Sequence, residues 1–135
     1  MNDSTDRLSR SAEDYLEAIG HLCEEHGHAH VGDIADRLRV KKPSVTVAMR
    51  QLAAGGYVEY SQYAPVQLTE AGWEYARRVI AAHQALAQLL LQAGLSPDRA
   101  DRVACEIEHI MTSDEVTCVV RSLSAQFEQK PPQGV

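Results

Sequence analysis

Apolar residues recur with helical spacing over most of the chain. Between Ser11 and Glu25, the residues Tyr15, Leu16, Ile19, Leu22 and Cys23 share one side of a helix. Ser11 is placed to cap its start, Glu13 and Asp14 sit near its positive end, and Gly27 ends it. The stretch "VGDIADRLRV" predicts a short second helix with Ile34, Ala35 and Leu38 inward. After a turn at "VKK", "PSVTVAMRQLAAGG" predicts a third, opened by Pro43 and closed by Gly55-Gly56. The period then changes. "YVEYSQYAPVQLT" alternates, is rich in Val and Tyr, and breaks at Ala64-Pro65, which predicts a short hairpin. A long helix follows from about Glu70 to Ala93, stopped by Gly94. Ser96-Pro97 opens another to about Met111, Ser113 or Asp114 is placed to cap a last one, and "QKPPQGV" reads as a frayed tail.

This order is mostly α with a small β-hairpin: two short helices joined by a tight turn, a two-stranded wing, then helices. It is the order of a winged helix-turn-helix followed by an α-helical half, divided at 1–72 and 73–135. At 44% hydrophobic and 24% charged residues, the composition is that of a globular protein, not a disordered one. No run approaches membrane-spanning length and the polar start lacks an apolar signal core, so a cytoplasmic location is expected. Cys23, Cys105 and Cys118 are an odd number without close spacing, so reduced thiols are expected rather than a disulfide framework.

A net charge of −6 argues at first against a nucleic-acid partner. Its distribution reverses that. Residues 1–36 carry two Lys/Arg against nine Asp/Glu, residues 37–80 carry seven against three, and residues 81–135 carry four against seven. The basic block coincides with the expected reading head, and a phosphate backbone responds to local charge. Lys41, Lys42, Pro43, Ser44, Val45 and Thr46 open the third helix. Cations and helix N–H groups there would hold phosphates, with Arg37 and Arg39 adding charge, while Ser44, Thr46 and Arg50 would reach base edges. A helical hairpin with a solvated basic face, or a protein-contact module, has the same pattern.

A second constellation lies outside that head. In "ACEIEHIM", Cys105, Glu108 and His109 fall on one helix face. Asp14 and Glu17 stand one turn apart on the first helix, and His83 lies among Ala81, Ala82, Ala85 and Leu86. These six side chains offer the mixed O, N and S donors that bind divalent transition metals. Taken one at a time, each has a plainer reading: a solvated acidic face, a hydrogen-bonded core histidine, a small buried thiol, a polar network.

Together the two constellations resemble the family of metal-dependent bacterial repressors that includes the diphtheria toxin repressor and the manganese transport regulator. The resemblance runs through "SAEDYLEAI", "VGDIADRLRVKKPSVTVAMRQLAAGGYVEY", "LTEAG" and "CEIEHIMTSDE". It implies a homodimer on a palindromic double-stranded operator, with Mn(II) or Fe(II) as corepressor controlling metal-uptake genes. It also implies metal ligands at Asp14, Glu17, His83, Cys105, Glu108 and His109, for one ion or two per subunit. Asp14 and Glu17 match the manganese branch, whereas the iron branch has methionine in place of Asp14. Cys105 matches the iron branch, where the manganese regulator has glutamate. Ala87 and Asp101 stand where the iron branch's ancillary site has glutamate and histidine, so that site is expected to be absent or altered. The resemblance to the manganese branch leads one to expect no SH3-like third domain of the kind the longer iron-type repressors have. The expected architecture is manganese-type with one iron-type ligand.

Three carboxylates and two imidazoles suit Mn(II), and a thiolate shifts preference toward Fe(II), Co(II) or Zn(II). Two rival classes would use the same residues differently. A small metalloenzyme needs an open coordination position and a substrate pocket, and no catalytic loop is evident, so no enzyme activity and no organic substrate are expected. A metal-independent winged-helix regulator responding to a small organic ligand would bind DNA equally with or without a chelator. His21 extends the Asp14/Glu17 face by a turn, and with His26, His28 and His30 it is expected to face solvent.

Overall fold

The computed structural model describes residues 8–129, with side chains described through 126. Six helices and one hairpin occur among them: α1 (Arg10–His26), α2 (Val31–Leu38), α3 (Lys42–Ala54), β1 (Val58–Glu59), β2 (Gln67–Leu68), α4 (Glu70–Gln92), α5 (Pro97–Glu108) and α6 (Ser113–Gln129). Most of the expected tail, from Lys130 on, lies outside the described residues. No helix among the described residues is long and apolar enough to cross a membrane.

The chain divides into two compact units, one through Arg77 and one from Arg78. The first turns of α4 belong to the first unit because Ala76 is buried in its core, with Trp73 and Tyr75 packed against it. That core gathers Leu16 and Ile19 of α1, Ile34 of α2, Val45 and Met49 of α3, and Val58, Val66 and Leu68 of the hairpin. The hairpin is short and antiparallel, with Val58 opposite Leu68. An isolated bridge from Ala29 to Val66 extends it, the Val66 N–H donating to the Ala29 carbonyl at 2.7 Å.

Caps refine the expected boundaries. α1 starts two residues earlier than expected: Ser9, not Ser11, is the extended cap, and its hydroxyl accepts from the Ala12 N–H at 3.1 Å. Ser11 lies inside the helix and cannot serve as its cap. Gly27 ends α1 at φ +84°, as its lack of a Cβ permits. Pro43 occupies the first turn of α3, where its missing N–H has no intrahelical acceptor in any case. The "LTEAG" run has a structural reason of its own. The Thr69 hydroxyl donates to the Gly56 carbonyl at 2.6 Å and accepts from the Gly72 N–H at 3.1 Å. A Cβ at Gly72 would lie 2.0 Å from the Tyr57 carbonyl oxygen, so only glycine lets α4 start against the base of the wing.

In the second unit Ala82, Leu86, Ala104 and Val116 form a small core, flanked by Ala87, Leu90, Ile107, Met111 and Val120. α5 begins at Ser96, whose hydroxyl accepts from the Arg99 N–H, and ends at Glu108 with His109 as its C-cap, short of the expected Met111. α6 is capped by Thr112, not by Ser113 or Asp114. The Thr112 hydroxyl accepts from the Glu115 N–H at 3.1 Å, and the Glu115 carboxylate accepts from the Thr112 N–H at 2.9 Å. This reciprocal capping box explains "TSDE": a threonine must precede glutamate by three residues to make it.

Candidate metal centre and nucleic-acid face

The second unit assembles its donors around one imidazole. His83 rises from α4 with its side chain only 13% exposed. Its Nδ1 makes a close hydrogen bond to Glu108 Oε2, and Glu108 is itself 17% exposed. Its Nε2 lies 2.9 Å from Asp101 Oδ1 on α5. The ring is therefore gripped between two carboxylates. Cys105 stands one turn after Asp101, and one donor atom each from His83, Asp101 and Cys105 lies within 4.8 Å of the others. His109 caps α5 with its Nδ1 buried and without a hydrogen-bond partner among the described residues.

These residues fit a divalent cation. A buried, unpaired ring nitrogen is costly unless something accepts its lone pair. Two carboxylates facing one imidazole concentrate negative charge that a cation would offset. Nitrogen, oxygen and thiolate donors together are the ligand types of first-row transition metals. Of the sequence-expected set, His83 is brought onto Glu108 and into a group with Cys105, and His109 ends the same helix. Asp101 was not among the expected ligands, although its i, i+4 relation to Cys105 on one helix is a signal the chain carries.

Asp14 and Glu17 lie half-buried on α1 in the first unit. Glu17 Oε2 lies 3.8 Å from His21 Nε2 one turn on, so His21 is not simply solvent-facing: it is partly covered and paired along its helix. His26, His28 and His30 are exposed as expected. The neighbouring Glu13 accepts from the Tyr75 hydroxyl at 2.7 Å, which ties α1 to the start of α4.

The basic face belongs wholly to the first unit. Lys41, Lys42, Pro43 and Ser44 are exposed at the start of α3, Thr46 is half-buried, and Arg50 is exposed a turn later. Val47 is 53% exposed on the same helix. A groove of about 710 Å³ runs between α3 and the wing, lined by Lys42, Thr46, Arg50, Tyr60 and Tyr63 among others. Tyr63 is 97% exposed at the wing tip, at φ +69°. The wing tyrosines were missed as candidates because an alternating strand pattern does not say which residues line a groove, and Val47 because an apolar helix residue reads as core. Arg39 is exposed at the left-handed end of α2, and Arg37 is paired with the Glu25 carboxylate at 3.2 Å.

Comparison with known proteins agrees with both halves. Residues 7–66 match the iron dependent repressor N-terminal DNA binding domain, and residues 69–133 match the iron dependent repressor metal binding and dimerisation domain. The chain is 32% identical over 125 residues to an HTH-type transcriptional regulator of Methanocaldococcus jannaschii, covering 91% of this chain and 99% of that protein. It is 34% identical over 106 residues to the HTH-type transcriptional regulator MntR of Bacillus subtilis, covering 78% of this chain and 75% of that one. Among solved structures, T. acidophilum IdeR superposes with a TM-score of 0.68 at 30% identity over 83% of this chain. The chain spans 53% of that longer protein. With a winged helix carrying the basic face and a helical unit carrying clustered metal donors, the chain belongs to the iron-dependent repressor family of metal-dependent, DNA-binding transcriptional regulators.

Proposed function

We propose that this chain is a homodimeric, cytoplasmic repressor of metal-uptake genes, with Mn(II) or Fe(II) as corepressor. The observation that carries the reading is the His83 imidazole held between Glu108 and Asp101 of α5, the helix that ends at His109 with its buried, unpaired Nδ1, within a domain of the metal-binding type. The proposed ligands are Asp14, Glu17, His83, Cys105, Glu108 and His109, the set the family resemblance implies, for one ion or two per subunit. A bound dication supplies the positive charge that offsets three mutually repelling carboxylates. Asp14 and Glu17 belong to the helix that leads into the DNA-binding head, and the other four residues belong to the helical half. Relieving their like-charge repulsion fixes the heads on the dimer core and narrows the spacings a dimer samples toward the one that fits successive major grooves.

On the DNA side, Lys41, Lys42 and the first N–H groups of α3 hold phosphates, with Arg37 and Arg39 adding positive charge beside them. Ser44, Thr46 and Arg50 face base edges, and Val47 suits a thymine methyl. The two halves of a palindromic operator would each take one head. Coupling between the ion and DNA is reciprocal, so operator DNA tightens metal binding by the same factor, about 5–150-fold for a coupling of ~1–3 kcal/mol.

The test is a titration of the full chain with Mn(II), and anaerobically with Fe(II), while fluorescence anisotropy follows binding to DNA from upstream of a metal-uptake gene. Metal should strengthen binding and His83→Ala should abolish the gain. Loss of the Fe(II) response alone in Cys105→Ser would make the thiol the selector between the two ions. Equal binding with metal and with chelator would overturn the corepressor reading.

A further inference from the structure

We infer that the wing tip is an uncharged minor-groove contact, made chiefly by Tyr63, beside the major-groove segment that α3 reads. The inference rests on the DNA-binding reading of α3 and gives the wing a role that nothing above assigns to it.

Tyr63 is an unfavourable residue where it stands. The Ala64 N–H donates to the Ser61 carbonyl at 3.2 Å, closing a turn with Gln62 and Tyr63 at its centre. Tyr63 takes the third position at φ +69° while Gln62 stays out of the left-handed region. Turns of that kind favour glycine or asparagine there. A Cβ carrying an aromatic ring meets a steric penalty in this conformation. Among the described residues nothing offsets the penalty, because Tyr63 is 97% exposed. Strain at an exposed aromatic points to a contact outside the chain.

The chemistry of the wing selects the part of DNA it meets. Between Arg50 and Arg77 the chain has no Lys or Arg, and the wing's one charge is Glu59, on β1 rather than in the turn. The cations of the reading head therefore stop at α3. A surface built to hold phosphates would carry them further. The wing presents instead the hydroxyls of Tyr60, Ser61 and Tyr63 and the Gln62 amide. Neutral donors and a flat apolar ring suit the minor groove, whose floor offers adenine N3 and thymine O2 as acceptors. The space between α3 and the wing matches this placement. Lys42 and Arg50 line one side of it, and Tyr60 and Tyr63 line the other. A sugar–phosphate strand laid there keeps its charge beside α3, with α3 in the major groove and Tyr63 in the adjacent minor groove. All of these residues belong to the first unit.

The experiment measures Mn(II)-loaded full chain binding to DNA from upstream of a metal-uptake gene over a series of salt concentrations. Wild type is compared with Tyr63→Gly and Lys42→Ala. Tyr63→Gly should unfold at the wild-type temperature or above it, since glycine removes the strain. Its affinity should fall about 5-fold with an unchanged salt dependence. Lys42→Ala should instead lower the slope of log affinity against log salt by about 1. Replacing G·C pairs beside each footprinted half-site by inosine–cytosine removes only the guanine amino group from the minor groove. Wild type should bind the inosine DNA more tightly, and Tyr63→Gly should lose that preference. Wild-type affinity in Tyr63→Gly, or a wild type indifferent to inosine, would overturn the wing contact and leave the repressor reading standing. A smaller salt slope in Tyr63→Gly would overturn the minor-groove placement in favour of phosphate. A lower unfolding temperature would make Tyr63 a residue of the fold and overturn the strain argument. No DNA binding by wild type with either Mn(II) or Fe(II) would overturn the DNA-binding reading itself.

Discussion

The first unit closes fourteen apolar side chains into one cluster drawn from α1 through the start of α4 and the hairpin. The second closes four; among the described residues it leaves Leu91, Ile110, Val119 and Leu123 exposed, while the first leaves Val40, Val47 and Tyr63 exposed around α3 and the wing. The first unit makes a fold that is finished by its own residues, with its cations turned outward on α3. The second carries clustered carboxylates and imidazoles whose charge a cation would offset, and apolar side chains left exposed on α4 and α6. Exposed apolar positions of this kind mark interaction surfaces, in keeping with a domain of the metal-binding and dimerisation type. A reading head gains from being rigid before it meets DNA. A sensor gains from being incomplete until its ligand arrives, because only then does the ligand shift its stability.

Core truncation tests this contrast most severely. Leu16→Ala, at a fully buried position of the first core, should cost about 2–5 kcal/mol in chemical denaturation. Leu86→Ala, in the sparser second core, should fall near the lower end of that range, at about 2 kcal/mol. Equal large losses would mean that the second unit is as complete as the first.

Metal removal should act next in size, and on one unit more than the other. A divalent ion at a hundred times its Kd should add about 2.7 kcal/mol of stability, reversed by chelation. Hydrogen exchange should slow most in α5 and the second half of α4. Protection spread equally over α2 and α3 would break the comparison.

The smallest effect is local. Thr112→Ala removes the capping box of α6 and should cost about 1 kcal/mol, seen as faster exchange in the first turn of that helix. No change there would mean that packing alone holds the start of α6.

Much of the fold was legible because it follows from period and punctuation. The switch from 3.6 to 2 near Tyr57 located the wing, and Gly27 and Pro43 placed helix ends within a residue. Caps were less legible. Ser9 and Ser11, or Thr112 and Ser113, are equivalent as residue types, and only the backbone shows which is extended and which is already helical. The donors divide in the same way. Cys105, Glu108 and His109 could be grouped from one helical face. Asp101 shares the Cys105 face, but its meeting with His83 depends on α4, and the wing tyrosines line a groove that only the packing of α3 against the hairpin forms.

The sequence by itself determined the helix–wing–helix order, the basic block over residues 37–80, and the donor chemistry, because periodicity, charge and residue type are local properties. Tertiary structure decided that His83 meets Glu108 through one nitrogen and Asp101 through the other. It also decided that Gly72 must be glycine and that Tyr63 stands clear at the wing tip. Each of these depends on the distance between atoms far apart in the chain, which no local pattern encodes.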